Sequence, residues 1–211
     1  MKHATLALVL LCCFTRLVFA GGVANVTRLN GVLAARHSDG TVKVLAVNSE
    51  VDLGDVLVTE RDTHARIKFA DGSEIVLRPG SQLKVEKFSF DQAKPESDSL
   101  VLNMLKGGMR AVSGIIGKRN KGAVAYTTPT ATIGIRGTHF GALYCHGDCD
   151  GISGIGAIAP RDGLYLDVAQ GAIEVTTRAG SMVLNAGEFG FVEDETTLPK
   201  VVPVQEGIQV T

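Results

Sequence analysis

Six residues between positions 139 and 150 carry side chains that can ligate, titrate or attack: His139, Cys145, His146, Asp148, Cys149 and Asp150. Cys145 and Cys149 are the only cysteines after position 13. In an oxidising compartment such a pair is most simply a disulfide, and the three residues between them, Gly147 included, bend enough to close a small ring. The stabilisation from so short a loop is modest, ~2 kcal/mol. The same side chains allow other chemistry. Cys145, His146 and Cys149, with His139, are ligand types that zinc takes, although their spacing matches no finger or hydrolase signature. Two unbridged thiols could instead exchange redox partners. All three readings remain open on the sequence.

Other candidate motifs fail on spacing. Gly114-Ile115-Ile116-Gly117-Lys118 lacks the length and the Ser/Thr of a phosphate loop. Gly151-Ile152-Ser153-Gly154 lacks the G-x-S-x-G spacing of a nucleophile elbow. His37 and His64 sit beside polar strand positions, and Asp52, Asp55 and Asp71 fall at turns, where carboxylates cap backbone amides. Lys118-Arg119-Asn120-Lys121 reads as a basic, solvated hairpin tip without interleaved aromatics, weak grounds for nucleic acid. No catalytic constellation and no cofactor signature emerges, so the expectation is a protein that is not an enzyme.

The elements that position these residues belong to a chain whose first residues lead us to expect export. The sequence has 211 residues, 45% hydrophobic and 20% charged, with 25 Gly and no Trp. That is a globular, turn-rich composition. Met1-Lys2-His3, an apolar run from Ala4 to Phe14, and small residues at Val18 and Ala20 have the layout of a secretory signal peptide. The run is too short to span a bilayer. Cleavage near Ala20 would place the chain in the periplasm or outside the cell. Removing residues 1–20 takes Lys2 and Arg16 from the 21 basic residues and none of the 22 acids, leaving a net charge of −3. Such a chain has no global field toward nucleic acid. No later apolar stretch is long enough for a transmembrane segment.

After position 20 the pattern is that of strands. Ala65, Ile67 and Phe69 alternate with His64, Arg66 and Lys68, the period-two signature of a half-buried strand. Asp71-Gly72 then turns the chain, Ile75-Val76-Leu77 resumes and Pro79-Gly80 stops it. Leu83 and Val85, then Leu100, Leu102 and Met104, share faces in turn. The pattern repeats from Leu164 to Phe191, with turns at Gln170-Gly171, Arg178-Ala179-Gly180 and Ala186-Gly187. Residues 91–99 read as a surface loop, and 194–200 as a second loop before a short strand at Val201-Val202. No three-turn helical stripe occurs. Short alternating runs broken by turns every ~8–12 residues imply an all-β protein, an antiparallel-rich sandwich or a stacked, β-helix-like coil of many short strands.

Several of these segments resemble the FecR-domain family. Gly54-Asp55-Val56-Leu57-Val58-Thr59, Ala65 to Ser73 with its Asp71-Gly72-Ser73 ending, and Ile75 to Ser81 are similar to the family's first half. Thr127-Thr128-Pro129-Thr130-Ala131-Thr132-Ile133-Gly134-Ile135-Arg136-Gly137-Thr138-His139-Phe140 is similar to its central T-P-x-A … R-G-T-x-F core. Val168 to Val175 and Met182 to Val192 resemble its closing strands. The resemblance covers about 40–192, giving a signal peptide at 1–20, a FecR-like β domain at 21–193 and a tail with a short strand at 194–211. In its best-known form the family is the periplasmic part of iron-siderophore signal transducers, with a cytoplasmic anti-sigma region and a transmembrane helix ahead of the domain. Here a signal-peptide-like segment stands in that place. The resemblance implies a β-rich binding or scaffold domain with no catalytic residues to carry over.

Two features are candidates for partner binding. Arg136, with apolar neighbours in a run flanked by Gly134 and Gly137, either clamps the two halves of the sheet or offers its guanidinium to a partner's carboxylate. The stretch Cys145 to Pro160 is a Gly-rich excursion that keeps Ile152, Ile155 and Ile158; a loop with apolar residues often carries recognition, unless those residues fold back on the sheet. The expected function is an exported, non-enzymatic β domain that binds protein or cell-envelope partners. The alternatives are a periplasmic signalling module acting in trans with an anti-sigma/sigma system, and a metal-binding protein using His139 to Cys149.

Overall fold

The computed structural model describes residues 21–149 and 160–210. Seventeen strands account for most of it: β1 (Ala24–Asn30), β2 (Leu33–Arg36), β3 (Val42–Leu45), β4 (Glu50–Val51), β5 (Val56–Thr59), β6 (His64–Phe69), β7 (Glu74–Leu77), β8 (Gln82–Ser89), β9 (Ser99–Val112), β10 (Val124–Thr127), β11 (Thr132–Ile135), β12 (His139–Cys145), β13 (Gly163–Gln170), β14 (Ala172–Thr177), β15 (Gly180–Asn185), β16 (Phe189–Val192) and β17 (Lys200–Val202). The helical content described is one turn, α1 (Ile115–Arg119), and three short 3₁₀ turns. Among the described residues no helix is long and apolar enough to cross a membrane.

Strand pairing arranges the chain in two layers. The first runs β4-β1-β6-β7-β9-β12-β13-β16-β17. The second runs β3-β2-β5-β8-β9-β10-β11-β14-β15. Every pair is antiparallel except β9–β10. Among the described strands only β9 belongs to both layers. Residues up to Lys106 pair in the second layer, and Gly107 onward pairs with β12 in the first. The fold is therefore a single sheet bent over on itself, all-β and antiparallel-rich, and not closed into a barrel.

The side-chain pattern of β9 records the crossing. Leu100, Leu102 and Met104 point into the core, then Met109 and Ala111 do, so the buried face changes parity between 104 and 109. A strand that passes between two facing layers must exchange its inner face, because side chains alternate strictly along it. Gly107 makes the bend with φ +76°, and a Cβ there would lie 2.7 Å from the Ser81 Cα. The Ser81 hydroxyl fastens the bend, donating to the Gly108 carbonyl and accepting from the Gly108 amide, both at 2.9 Å.

Between the layers lies one apolar core drawn from nearly every strand. Tyr126 on β10 meets Phe140 on β12 edge-on at 5.1 Å between ring centres, tying the second layer to the first. Phe69 on β6 and Phe88 on β8 make a similar link at 5.6 Å. Burying each large side chain of this set contributes about 1.5–3 kcal/mol, which is the main force holding the layers face to face.

A second apolar cluster lies outside the core, on the outer face of the first layer. Leu143, Cys145, Tyr165 and Phe191 from β12, β13 and β16 are covered there by Cys149, Val202, Ile208 and Val210. Strand β13 is consequently buried on both faces from Gly163 to Val168.

The segment 118–121 differs from the expected hairpin tip. It belongs to α1 and the 3₁₀ turn after it, which join the parallel pair β9 and β10. Parallel neighbours cannot be joined by a tight hairpin, so a crossover is required. Nor is Arg119 merely solvated. Its guanidinium takes both Asp98 carboxylate oxygens (2.6 and 2.7 Å), the Asp91 and Gln92 carbonyls, and the Phe90 ring. That fork pins the polar loop 91–98, and the guanidinium in turn holds the Asp98 carboxyl below the usual carboxylate range.

Candidate functional site

The segment richest in chemistry starts on β12 and ends in the loop behind it. Cys145, the last residue of β12, is bridged to Cys149, with the Cα atoms 5.4 Å apart. Both sulfurs are committed to the bridge and both residues are buried in the outer apolar cluster. The loop they close is fastened by backbone amides: His146 N–H donates to Asp148 Oδ1 at 2.9 Å and Gly147 N–H to Asp162 Oδ1 at 2.7 Å. Asp148 also pairs with Lys106 at 3.2 Å. His146 is largely exposed and stacks on Tyr144.

His139 is not part of that group. It begins β12, six residues before Cys145, roughly 20 Å along an extended strand. The structure therefore does not bring His139 together with Cys145, His146 and Cys149 as a ligand set. His139 stands near Arg110 and Asp167 instead, its Nε2 buried with no hydrogen-bond partner among the described residues. Burial lowers its pKa, and the Arg110 guanidinium lowers it further, against a smaller opposing effect of Asp167.

Arg136 follows β11 with its guanidinium more than half exposed. Its acidic neighbour, Glu174, lies 3.9 Å away on β14 of the same layer. It does not clamp the layers. The buried tie in this segment belongs to Thr138, whose N–H donates to the Ser113 hydroxyl at 2.8 Å and whose carbonyl accepts from it at 3.0 Å. Gly137, with φ +65°, supplies the turn before it, and Gly171 is packed so closely that a Cβ would run into the Gly137 carbonyl oxygen. Ile152, Ile155 and Ile158 lie outside the described residues.

The remaining motif residues are spent on turns. Asp55 is buried and accepts from Asp52 N–H at 2.9 Å, with His37 Nδ1 at 2.5 Å. Thr59 donates to the Arg78 carbonyl at 2.6 Å and accepts from Ser81 N–H at 2.8 Å. Asp71 accepts from the Ser73 amide and hydroxyl at 3.0 and 2.6 Å. Each replaces a hydrogen bond that the buried backbone would otherwise lack. His37, Asp52 and Asp55 do bring one ligand atom each within 4.8 Å of one another. The two Asp55 oxygens are already engaged, however, which makes this a closed turn. The His37–Asp55 pair was hidden in sequence because its members are 18 residues apart and meet only through the β2–β5 pairing.

No curated protein matches the chain. Two crystal structures from Parabacteroides distasonis ATCC 8503, each titled a "putative anti-sigma factor", are similar to it. One shares 18% identity at a TM-score of 0.50 over 71% of this chain and 61% of its own. The other shares 15% identity at 0.48 over the same shares. The chain thus spans about three fifths of the length of these neighbours, and at 18% identity the first likeness is one of fold. Residues 55–151 match the family model described as FecR protein. That stretch, a little under half of the chain, runs from the buried Asp55 turn, through the Ser81 clamp and the Arg136-Gly137-Thr138 turn, to the disulfide loop, and over it the chain is similar to the FecR family.

Proposed function

We propose that this protein is an exported, non-enzymatic FecR domain that binds a protein partner in the cell envelope through its sheet edge. The observation that carries this reading is β3. Among the described residues it pairs only with β2, which leaves its other side open. Val42 and Val44 on it are 65% and 69% exposed, and Val32, Val47 and Leu53 are about half exposed. A free edge with apolar side chains is the kind of surface that adds a partner's strand, main chain giving affinity and side chains selectivity. Export is supported by the signal-like residues 1–20 and by the Cys145–Cys149 bridge, since disulfides persist in oxidising compartments. The test is a photo-crosslinker at Lys43 in the intact cell. A discrete adduct with another protein, lost in Val42→Lys/Val44→Lys, is expected; no adduct, or adducts only with further copies of this chain, would overturn the reading.

A second reading is favoured by the family match. A FecR domain implies a signalling module, which here would act in trans on an anti-sigma/sigma pair. Deleting the chain would then alter the output of a reporter driven by that sigma factor, whereas a scaffold role leaves it unchanged.

A further inference from the structure

The outer face of the first layer has two halves. One, over β12, β13 and β16, is covered by the disulfide loop and the tail. The other, over β1, β6, β7 and β9, carries charge. Register brings its side chains into rows across the strands. Arg28 on β1 lies opposite Arg66 on β6, Arg66 opposite Val76 on β7, and Val76 opposite Arg110 on β9. In the next row Asn30 faces His64.

A specific device aims Arg28. Val26 and Leu29 both turn inward although three positions apart, because the pairing of β1 with β6 shifts between Val26 and Arg28. The extra residue, Thr27, is held by its hydroxyl donating to the Arg66 carbonyl at 3.3 Å. The bulge thereby sets one arginine directly across from another. Bulges re-aim side chains in this way next to functional sites, and like charges directly opposite are destabilising on their own.

The described protein compensates this charge only in part. Arg28 has no acidic partner within ion-pair distance among the described residues, whereas Arg110 shares its cross-strand row with Asp167, on the far side of Gly141. Glu74, the carboxylate of this patch, is 3.7 Å from Arg66 and 3.9 Å from Lys68, too far for hydrogen bonds. The Nε atoms of Arg66 and Arg110 are buried without partners. Two guanidiniums, an amide and an imidazole surround a cleft of about 290 Å³, with Val76 as its apolar wall. The whole chain carries a net charge of −1, so this gathering of cations is local.

We propose that this cleft binds the oxyanion, phosphate or carboxylate, of a small anionic solute. Arg28 and Arg66 form the fork from adjacent strands, Asn30 and His64 add donors, and Arg110 receives a second anionic group farther along the row. Arginine suits this task because its planar donors match both oxyanions two at a time. The cleft is of small-ligand size. The site is separate from the β3 edge and stands whether or not that edge binds a protein.

Titration calorimetry of the purified protein at low salt, with inorganic phosphate and with citrate, tests this. Saturable binding with Kd below ~1 mM is expected for at least one of them, and the tighter probe identifies the oxyanion. Arg28→Gln and Arg66→Gln should each weaken it about 10-fold or more, while Lys121→Gln, on a distant turn, leaves it unchanged. Arg28 is exposed, so its variant keeps the fold even if that of Arg66 does not; circular dichroism checks both. Absence of saturable binding, wild-type affinity in the Arg28 variant, or binding only to phosphatidylglycerol vesicles without competition by citrate would overturn the proposal.

Discussion

Tyr126 buries its hydroxyl in the core with no partner among the described residues, and that burial pushes its pKa well above the usual phenol value. An orphaned hydroxyl costs about 1–3 kcal/mol, whereas the edge contact of its ring with Phe140 contributes about 0.5–1.5 kcal/mol and survives removal of the oxygen. Tyr126→Phe should therefore stabilise the fold by about 1 kcal/mol, seen as a higher urea midpoint with unchanged slope. The pH dependence has a defined sign. The folded pKa lies above the unfolded value near 10, so the wild type loses stability as pH rises past ~10, because only the unfolded chain releases the phenolic proton there. The Phe variant should lack that loss. A lower midpoint, or an unchanged alkaline limb, would mean that the hydroxyl is satisfied after all. The buried motif residues behave oppositely: Thr59, Asp71, Ser73 and Ser81 are each hydrogen-bonded to a nearby turn, so their removal can only destabilise.

At the scale of elements, what the sequence makes legible depends on whether the signal is local. β6, the Asp71-Gly72 turn and β7 are readable because alternation and turn chemistry sit within a few residues of each other. The Cys145–Cys149 bridge is also local, with three residues between its ends. The α1 crossover is not, since nothing in Lys118-Arg119-Asn120-Lys121 says that β9 and β10 run parallel or that Asp98 waits 21 residues upstream. The cationic row is further out of reach: Arg28, Arg66 and Arg110 become neighbours only through register. The tail is a related case. Beyond the short strand read in it, Ile208 and Val210 are 3% and 8% exposed, and Val210 N–H donates to Asp167 at 3.0 Å. They cover Phe191, Tyr165 and Leu143. Truncation after Pro203 should cost about 2–4 kcal/mol, from two buried aliphatic side chains discounted for a compact unfolded state. It should also raise binding of a hydrophobic dye. An unchanged urea midpoint would show that the tail rests on the sheet without stabilising it.

For the molecule as a whole, the question is why two nine-stranded layers act as one body. The apolar core supplies most of the adhesion, but among the described strands β9 supplies the only backbone ladder shared by both layers. Its crossing depends on one residue. At Gly107 an added Cβ meets two obstacles, a φ of +76° and the Ser81 backbone at 2.7 Å. At Gly72, in the Asp71-Gly72 turn, φ is +81° but the space around is open. Comparing the two alanine variants separates conformational cost from collision. Gly72→Ala should lose about 1–2 kcal/mol, the cost of a left-handed alanine. Gly107→Ala should lose that and more, about 3 kcal/mol or above, because Ser81 must move and its bonds to Gly108 weaken with it. If β9 couples the layers, the Gly107 variant should also broaden or split the unfolding transition, with near-ultraviolet signals from Tyr126 and from Tyr165 separating. Tyr126 reports the core between the layers and Tyr165 the outer cluster. Equal losses at Gly107 and Gly72, with both probes still melting together, would place the coupling in the apolar core and leave β9 as a passenger.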